Sequence, residues 1–151
     1  MSTTIADLLD ELDLFKDFPY QDLKVIAGYL GQEFKQKGEV VFNEGDPGTY
    51  MLILVEGRLS VFKGGENGSQ LLCHEGRGRV VGEMALLDRE RRSATCVADS
   101  DCSFLTLGVT GLERMAEEVP LIAYRFTFNL AKLLSRRLRK TSGMLVEFLG
   151  S

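Results

Sequence analysis

The sequence predicts an α+β fold in which an antiparallel β-roll lies between helices at the two ends of the chain. Two observations predict it. Apolar residues recur at three- and four-residue steps near both ends, and between them they form short runs separated by glycine-rich turns. With 151 residues, 44% of them hydrophobic, the chain has the size and composition of one globular domain. We therefore predict a single domain over residues 1–151.

The N-terminal zone, residues 1–30, predicts helices. Its first apolar residues follow a helical period: Ile5, Leu8, Leu9, Leu12 and Phe15. Pro19 interrupts this pattern, and the same period resumes between Tyr20 and Leu30. We expect two helices that pack one apolar face on the rest of the domain.

The middle zone, residues 32–107, predicts the β-roll. Its apolar residues come in short runs at 40–42, 51–55, 59–62, 71–73, 80–81, 95–98 and 104–107. Glycine-containing segments at 56–57 and 64–68 are typical of hairpin turns, because glycine adopts positive φ at little cost. Many short strands at this spacing indicate an antiparallel roll or barrel.

The C-terminal zone, residues 108–149, predicts a short helix and then a long one that Pro120 opens. We expect the long helix to reach about Lys140, with 141–143 stopping or bending it. Its apolar residues form two stripes: Tyr124, Thr127, Ala131, Leu134, Leu138, Thr141, Leu145 and Phe148 in one, and Ala123, Phe126, Leu130 and Leu133 in the other. Either both stripes form one wide face against the domain, or one of them meets a homodimer partner or an effector protein.

Charge on this helix is also uneven. No acidic residue occurs between Pro120 and Val146, whereas six basic residues do: Arg125, Lys132, Arg136, Arg137, Arg139 and Lys140. Two interpretations stay open, a solvated basic face or a contact with an acidic partner.

The inventory of reactive side chains argues against an enzyme or a metal site. The chain has one histidine, His74, and three cysteines without C-x-x-C spacing, Cys73, Cys96 and Cys102. The first residues lack the basic region of a signal peptide, and no stretch has the length of a membrane span. We expect a cytoplasmic protein with no catalytic residues, metal or cofactor. The net charge of −4 argues against an overall electrostatic attraction to nucleic acid, but not against a local basic patch.

The segment 81–95 interrupts the pattern of short strands and contains the candidate ligand-binding residues. Five helix-forming residues follow Gly82, and the free backbone N–H groups of a helical turn attract anions. The guanidinium of Arg92 and the hydroxyl of Ser93 suit a phosphate, whereas the Glu83 carboxylate suits a ribose diol. Phosphate and ribose on one segment imply a nucleotide. The alternative is a plain salt bridge between Glu83 and Arg92.

These residues resemble a known motif. Val-Gly-Glu-Met-Ala-Leu-Leu at 81–87, followed by Arg-Ser-Ala-Thr at 92–95, closely resembles the phosphate-binding cassette of cyclic nucleotide-binding domains. The resemblance extends over nearly the whole chain, including Glu-Gly-Asp at 44–46. The sequence departs from the family at Arg91, where proline is frequent, and at Arg79, where an acidic residue is usual.

The resemblance implies a role for each site residue. Glu83 takes the ribose 2′-hydroxyl, Arg92 pairs with the cyclic phosphate, and the backbone N–H groups of Met84 and Ala85 complete the phosphate shell. The remaining implied ligand contacts are Gly82, Ser93, Val61, Leu72, Cys73 and Val81. In the family a residue of the last helix covers the base, and the candidates here are Leu134, Arg137 and Leu138.

The expected function is a regulatory sensor that binds cAMP or cGMP and moves its C-terminal helix on binding. The alternative is a ligand-free interaction module on the same roll, with the basic helix as its contact. Because the sequence stops after the closing helix, we expect no helix-turn-helix for DNA in this chain.

Overall fold

The computed structural model describes residues 4–65 and 68–150, with the side chains at 65 and 145–150 outside that description. The tip of the turn predicted at 64–68 and the side chains of Leu145 and Phe148 in the predicted stripe therefore lie outside the described part.

Short helices begin the chain. Helix α1 spans Ile5–Asp10, a 3₁₀ turn spans Asp13–Phe15, and helix α2 spans Tyr20–Ala27. Thr4 caps α1 because its side chain accepts from the Asp7 N–H, while the Asp7 carboxylate accepts from the Thr4 N–H. The helical pattern that runs to Phe15 in the sequence is thus divided between an α-helix and a 3₁₀ turn.

Eight antiparallel strands form the roll. Their bounds are β1 Gly31–Lys35, β2 Val40–Phe42, β3 Tyr50–Glu56, β4 Leu59–Gly65, β5 Gly68–Glu75, β6 Val80–Val81, β7 Thr95–Ala98 and β8 Cys102–Gly108. One sheet has the order β1-β8-β3-β6 and the other has the order β2-β7-β4-β5. The predicted α+β roll with helices at both ends is confirmed.

Strand β1 has no apolar run in the sequence because it lies at the edge of its sheet and is largely exposed. Phe34, for example, is 72% exposed on this strand. A strand that buries neither face lacks the alternation by which sequence patterns identify strands.

Three helices complete the fold. Helix α3, Glu83–Asp88, lies between β6 and β7, and helices α4, Val109–Glu118, and α5, Pro120–Gly150, follow the roll. Helix α5 passes through 141–143 without a stop, and the Thr141 hydroxyl donates to the carbonyl of Arg137 at 3.0 Å. Among the described helices, none combines the length and the apolar character that crossing a membrane requires.

Strand β3 is buried on both of its faces, which explains its unbroken apolar run. Met51 and Ile53 face the helices, whereas Leu52 and Leu54 face the space between the two sheets. The cluster under the helices also includes Leu9, Phe15, Leu23, Ile26, Leu105, Leu107, Met115, Phe126 and Leu130. The cluster inside the roll also includes Leu59, Cys96, Ala98, Cys102 and Phe104.

Phe126 joins α5 to the N-terminal helices. Its side chain is fully buried, and its ring stacks on that of Phe15 with centroids 5.9 Å apart. The stripe that contains Ala123 and Leu130 is thus the face of α5 that packs on its own domain.

We predict that Phe126→Ala lowers the free energy of unfolding by about 3–5 kcal/mol, because it removes a buried ring and leaves a cavity. Urea denaturation followed by circular dichroism measures the loss. The control is Met144→Ala on the same helix, where the side chain is 61% exposed and the expected change is within about 0.5 kcal/mol. Equal losses in the two variants would contradict this view of how α5 docks.

Candidate functional site

Helix α3 is a short helix inserted between β6 and β7 of the roll, and Gly82 makes the insertion possible. Gly82 precedes the helix with φ of +80°, in the left-handed region that favours glycine. A Cβ atom at this position would collide with Nη1 of Arg92. Glycine is therefore required here both for backbone conformation and for the close approach of an arginine.

A cavity of about 370 Å³ opens between α3, the roll and α5. Ten of the predicted site residues line it: Val61, Cys73, Val81, Gly82, Glu83, Met84, Ala85, Arg92, Ser93 and Arg137. The fold thus gathers most of the predicted contacts around one space.

Three predicted contacts do not line this cavity: Leu72, Leu134 and Leu138. Leu72 is 57% exposed because successive side chains on a strand point to opposite faces, and its neighbour Cys73 is the one that faces the cavity. On α5, Leu138 is 67% exposed, and of the three lid candidates it is Arg137 that reaches the cavity.

Arg92 is a buried cation, with only 4% of the residue exposed. Its Nη2 donates to the carbonyl of Tyr50 at 2.6 Å and its Nη1 to the carbonyl of Gly82 at 3.3 Å. The guanidinium also lies over two rings, at 4.1 Å from the centroid of Phe42 and 4.8 Å from that of Tyr50. Its Nε is buried and has no hydrogen-bond partner among the described residues.

Burial is the main influence on the charge of Arg92. It lowers the pKa of the guanidinium from the ordinary value, because the charged form loses water. Arginine nevertheless stays charged in proteins. The floor of the cavity therefore carries a positive charge whose described partners are carbonyls and rings rather than a carboxylate.

Glu83 is the acidic counterpart in the cavity, and only 6% of it is exposed. Its Oε1 accepts from Nη1 of Arg137 at 2.7 Å, while Nη2 of Arg137 donates to the carbonyl of Val80 at 3.2 Å. The alternative of a Glu83–Arg92 salt bridge is wrong, since the ion pair that Glu83 forms is with Arg137 of α5. The sequence left this partner open because it lies 54 residues away.

The segment 89–94 between α3 and β7, here called the arm, is hydrogen-bonded to the loop before β3. The Arg92 N–H donates to the carbonyl of Asp46, and the Gly45 N–H donates to the carbonyl of Arg92, both at 2.8 Å. Arg91 donates from Nη1 to the carbonyl of Gly45 at 2.9 Å. From β4, Lys63 Nζ donates to the carbonyl of Ser93 at 2.7 Å. These bonds fix the backbone that carries Arg92.

Residues that the sequence did not single out also line the cavity, among them Phe42, Glu75 and Glu90. Glu75 ends β5, where its carboxylate accepts from Arg79 Nε at 3.0 Å and from the Cys73 thiol at 3.5 Å. Burial and this carboxylate raise the pKa of the Cys73 thiol, so the sulfur keeps its proton and acts as the donor. To predict Glu75 at this position, the pairing register of β5 would have been needed, and the sequence alone does not give it.

Comparison with known proteins identifies the family of the chain. The sequence matches the cyclic nucleotide-binding domain family over residues 32–119. The cyclic AMP receptor protein of Thermus thermophilus is 32% identical over 130 residues, 84% of this chain and 57% of that protein. A cAMP-dependent protein kinase regulatory subunit of Hypocrea atroviridis is 34% identical over 110 residues, 72% of this chain and 23% of that protein. The chain spans less than two thirds of either relative.

Solved structures give the same result for the fold. A cyclic nucleotide-binding domain from Methylobacillus flagellatus superposes with a TM-score of 0.83 at 27% identity, covering 95% of this chain and 81% of the other. The catabolite activator protein of Thermus thermophilus superposes with a TM-score of 0.78 at 30% identity, covering 89% of this chain and 62% of the other. Since the family match covers more than half of the sequence and includes both α3 and the arm that carries Arg92, the chain belongs to the cyclic nucleotide-binding domain family.

Proposed function

We propose that the chain is a regulatory domain that binds a cyclic nucleotide in the cavity beside α3. The single observation that carries the proposal is the guanidinium of Arg92, buried at the cavity wall with a carboxylate, Glu83, on the same short segment. A buried cation is costly unless it gains a counter-charge, and a cyclic phosphate supplies one.

The other groups fit the remaining parts of the ligand. Glu83 accepts a hydrogen bond from the ribose 2′-hydroxyl, and the backbone N–H groups of Met84 and Ala85 join Arg92 around the phosphate. Val61 and Val81, which line the same cavity, offer apolar surface to ribose and base. The names of the two relatives, a cyclic AMP receptor and a cAMP-dependent kinase subunit, support the same class of ligand.

Binding changes the position of α5 in this proposal. The carboxylate that would hold the ribose already accepts from Arg137, which attaches α5 to α3. A ribose hydroxyl at Glu83 alters that contact. Because a ligand shifts an equilibrium only through contacts that differ between two states, the Glu83–Arg137 pair is where binding energy would reach the helix.

A second copy of the chain is the proposed partner of α5. Its exposed apolar residues, Leu121, Tyr124, Phe128 and Leu138, lie on the side of the helix opposite to the buried Ala123, Phe126 and Leu130. These positions fit a heptad repeat, with the small residues Ala131 and Ser135 at the two intervening positions.

Charge favours a parallel arrangement of the two copies. One flank of this exposed stripe carries the basic residues Arg125, Lys132 and Arg139. The other flank carries Thr127, Leu134 and Thr141, which the sequence pattern had placed within the stripe itself. In a parallel pair each basic flank faces the neutral flank of the partner. In an antiparallel pair the basic flanks would face each other and repel.

We predict that Arg92→Ala weakens binding of cAMP and cGMP by about 1.5–3 kcal/mol, the contribution of a charge-assisted hydrogen bond. Isothermal titration calorimetry measures the loss, and circular dichroism checks that the variant is folded. The control is Arg114→Ala, which removes an exposed arginine of α4 that does not line the cavity and should leave the affinity unchanged. Unchanged affinity in Arg92→Ala refutes the site.

A wild-type protein that neither nucleotide stabilises in a thermal-shift assay favours the ligand-free interaction module instead.

A second prediction concerns α5. Hydrogen exchange measured by mass spectrometry over residues 129–144 should change when cyclic nucleotide is added to the wild type. In Arg137→Gln the same segment should exchange faster without ligand and respond little to it, because the link to Glu83 is lost. The control is Arg136→Gln. In the wild type, Nε of Arg136 donates within the helix to the carbonyl of Lys132. A full response to ligand in Arg137→Gln would show that α5 is coupled to the site by another route.

A third prediction tests the partner of α5. We expect the wild type to sediment as a dimer and Leu138→Glu as a monomer, because a charge replaces an apolar side chain in the stripe. The control is Leu71→Glu, at an exposed leucine of β5 away from α5. A monomeric wild type at high micromolar concentration would rule out the second copy as partner.

A further inference from the structure

The cavity has a polar wall at Glu75, although the resemblance assigns only apolar walls to the base. Glu75 lies there with its side chain 16% exposed. Its carboxylate is paired with Arg79, and in a binding cavity a polar group of this kind fixes the orientation of a ligand.

The strand register separates Glu75 from the phosphate end. On β4, Lys63 holds the carbonyl of Ser93, next to Arg92, whereas Leu59 pairs with Glu75. Four residues of strand at about 3.3 Å each separate the backbones of Lys63 and Leu59 by about 13 Å, so the segment that carries Arg92 and the residue Glu75 meet β4 at different points along the strand. A nucleotide whose phosphate meets Arg92 therefore directs its base toward Glu75.

The described partners of the Glu75 carboxylate leave room for a ligand. Oε2 accepts from Arg79 and Oε1 accepts from the thiol of Cys73. A carboxylate has about four lone-pair sites and can only accept hydrogen bonds when ionised. Two contacts therefore leave both oxygens able to accept one further N–H each.

We propose that Glu75 selects the base and favours guanine over adenine, an inference that rests on the proposed function. Guanine presents two parallel donors, N1–H and the N2 amine, which match the two oxygens of a carboxylate. Adenine presents one amine beside N1, whose lone pair a carboxylate repels. The site therefore discriminates through one more charge-assisted bond to guanine and one repulsive contact to adenine.

The test is isothermal titration calorimetry of cGMP and cAMP on the wild type, Glu75→Gln and the control Glu56→Gln, an exposed glutamate at the end of β3. We expect the wild type to bind cGMP at least about tenfold more tightly than cAMP, the equivalent of one charge-assisted bond. In Glu75→Gln the cGMP-to-cAMP affinity ratio should fall by about tenfold, because the amide keeps one acceptor and turns a donor toward guanine. Glu56→Gln should keep the wild-type ratio.

The outcomes separate this inference from the function on which it rests. A wild type that binds either nucleotide without preferring cGMP, or a ratio unchanged in Glu75→Gln with its fold intact by circular dichroism, overturns the role of Glu75 and leaves the cyclic nucleotide site standing. A wild type that binds neither nucleotide overturns the proposed function and this inference with it.

Discussion

The burial of the Arg92 guanidinium is the constraint on which the rest of the site depends. Its charge lies under α3, held by the carbonyls of Tyr50 and Gly82 and by two aromatic rings. Only a residue without a side chain fits at Gly82, and the same is true of Gly48, where a Cβ would collide with Ala85. The close packing of backbone around this one cation explains why a helix of six residues keeps its place inside a β-roll.

From Arg92 a continuous chain of contacts leads to the surface. Arg92 bonds the carbonyl of Gly82, the next residue is Glu83, and Glu83 bonds Arg137 on α5. Two arginines thus lie on either side of one short segment, one fixed in the roll and the other on a helix. In the proposed mechanism a change at Glu83 therefore acts between a rigid element and the part of α5 beyond Leu130, where no residue of 131–144 is fully buried. Such an arrangement couples binding to movement.

Sequence patterns predicted the roll and the cassette because both depend on local signals. Alternating and continuous apolar runs identified the buried strands, and the Gly82–Glu83 pair with Arg92 pointed to the candidate site, where ten of the predicted residues line one cavity. The sequence did not predict which side chains of β5 face the cavity. Leu72 and Cys73 are adjacent in sequence, yet only Cys73 faces the cavity. The pairing of Glu83 with Arg137 and the position of Glu75 depend on contacts between distant elements, which a one-dimensional period does not contain.

The unequal burial of the two arginines decides which part of the site moves in the proposed mechanism. Arg92 is 4% exposed and shares its backbone bonds with the loop before β3, so displacing it would expose unpaired groups. The side chain of Arg137 is 31% exposed and reaches Glu83 from a helix whose outer face meets solvent. When Arg137 separates from Glu83, water can form hydrogen bonds with its guanidinium. The buried guanidinium of Arg92 has no such replacement. In that mechanism a ligand that alters the Glu83–Arg137 contact therefore moves α5 before it disturbs α3.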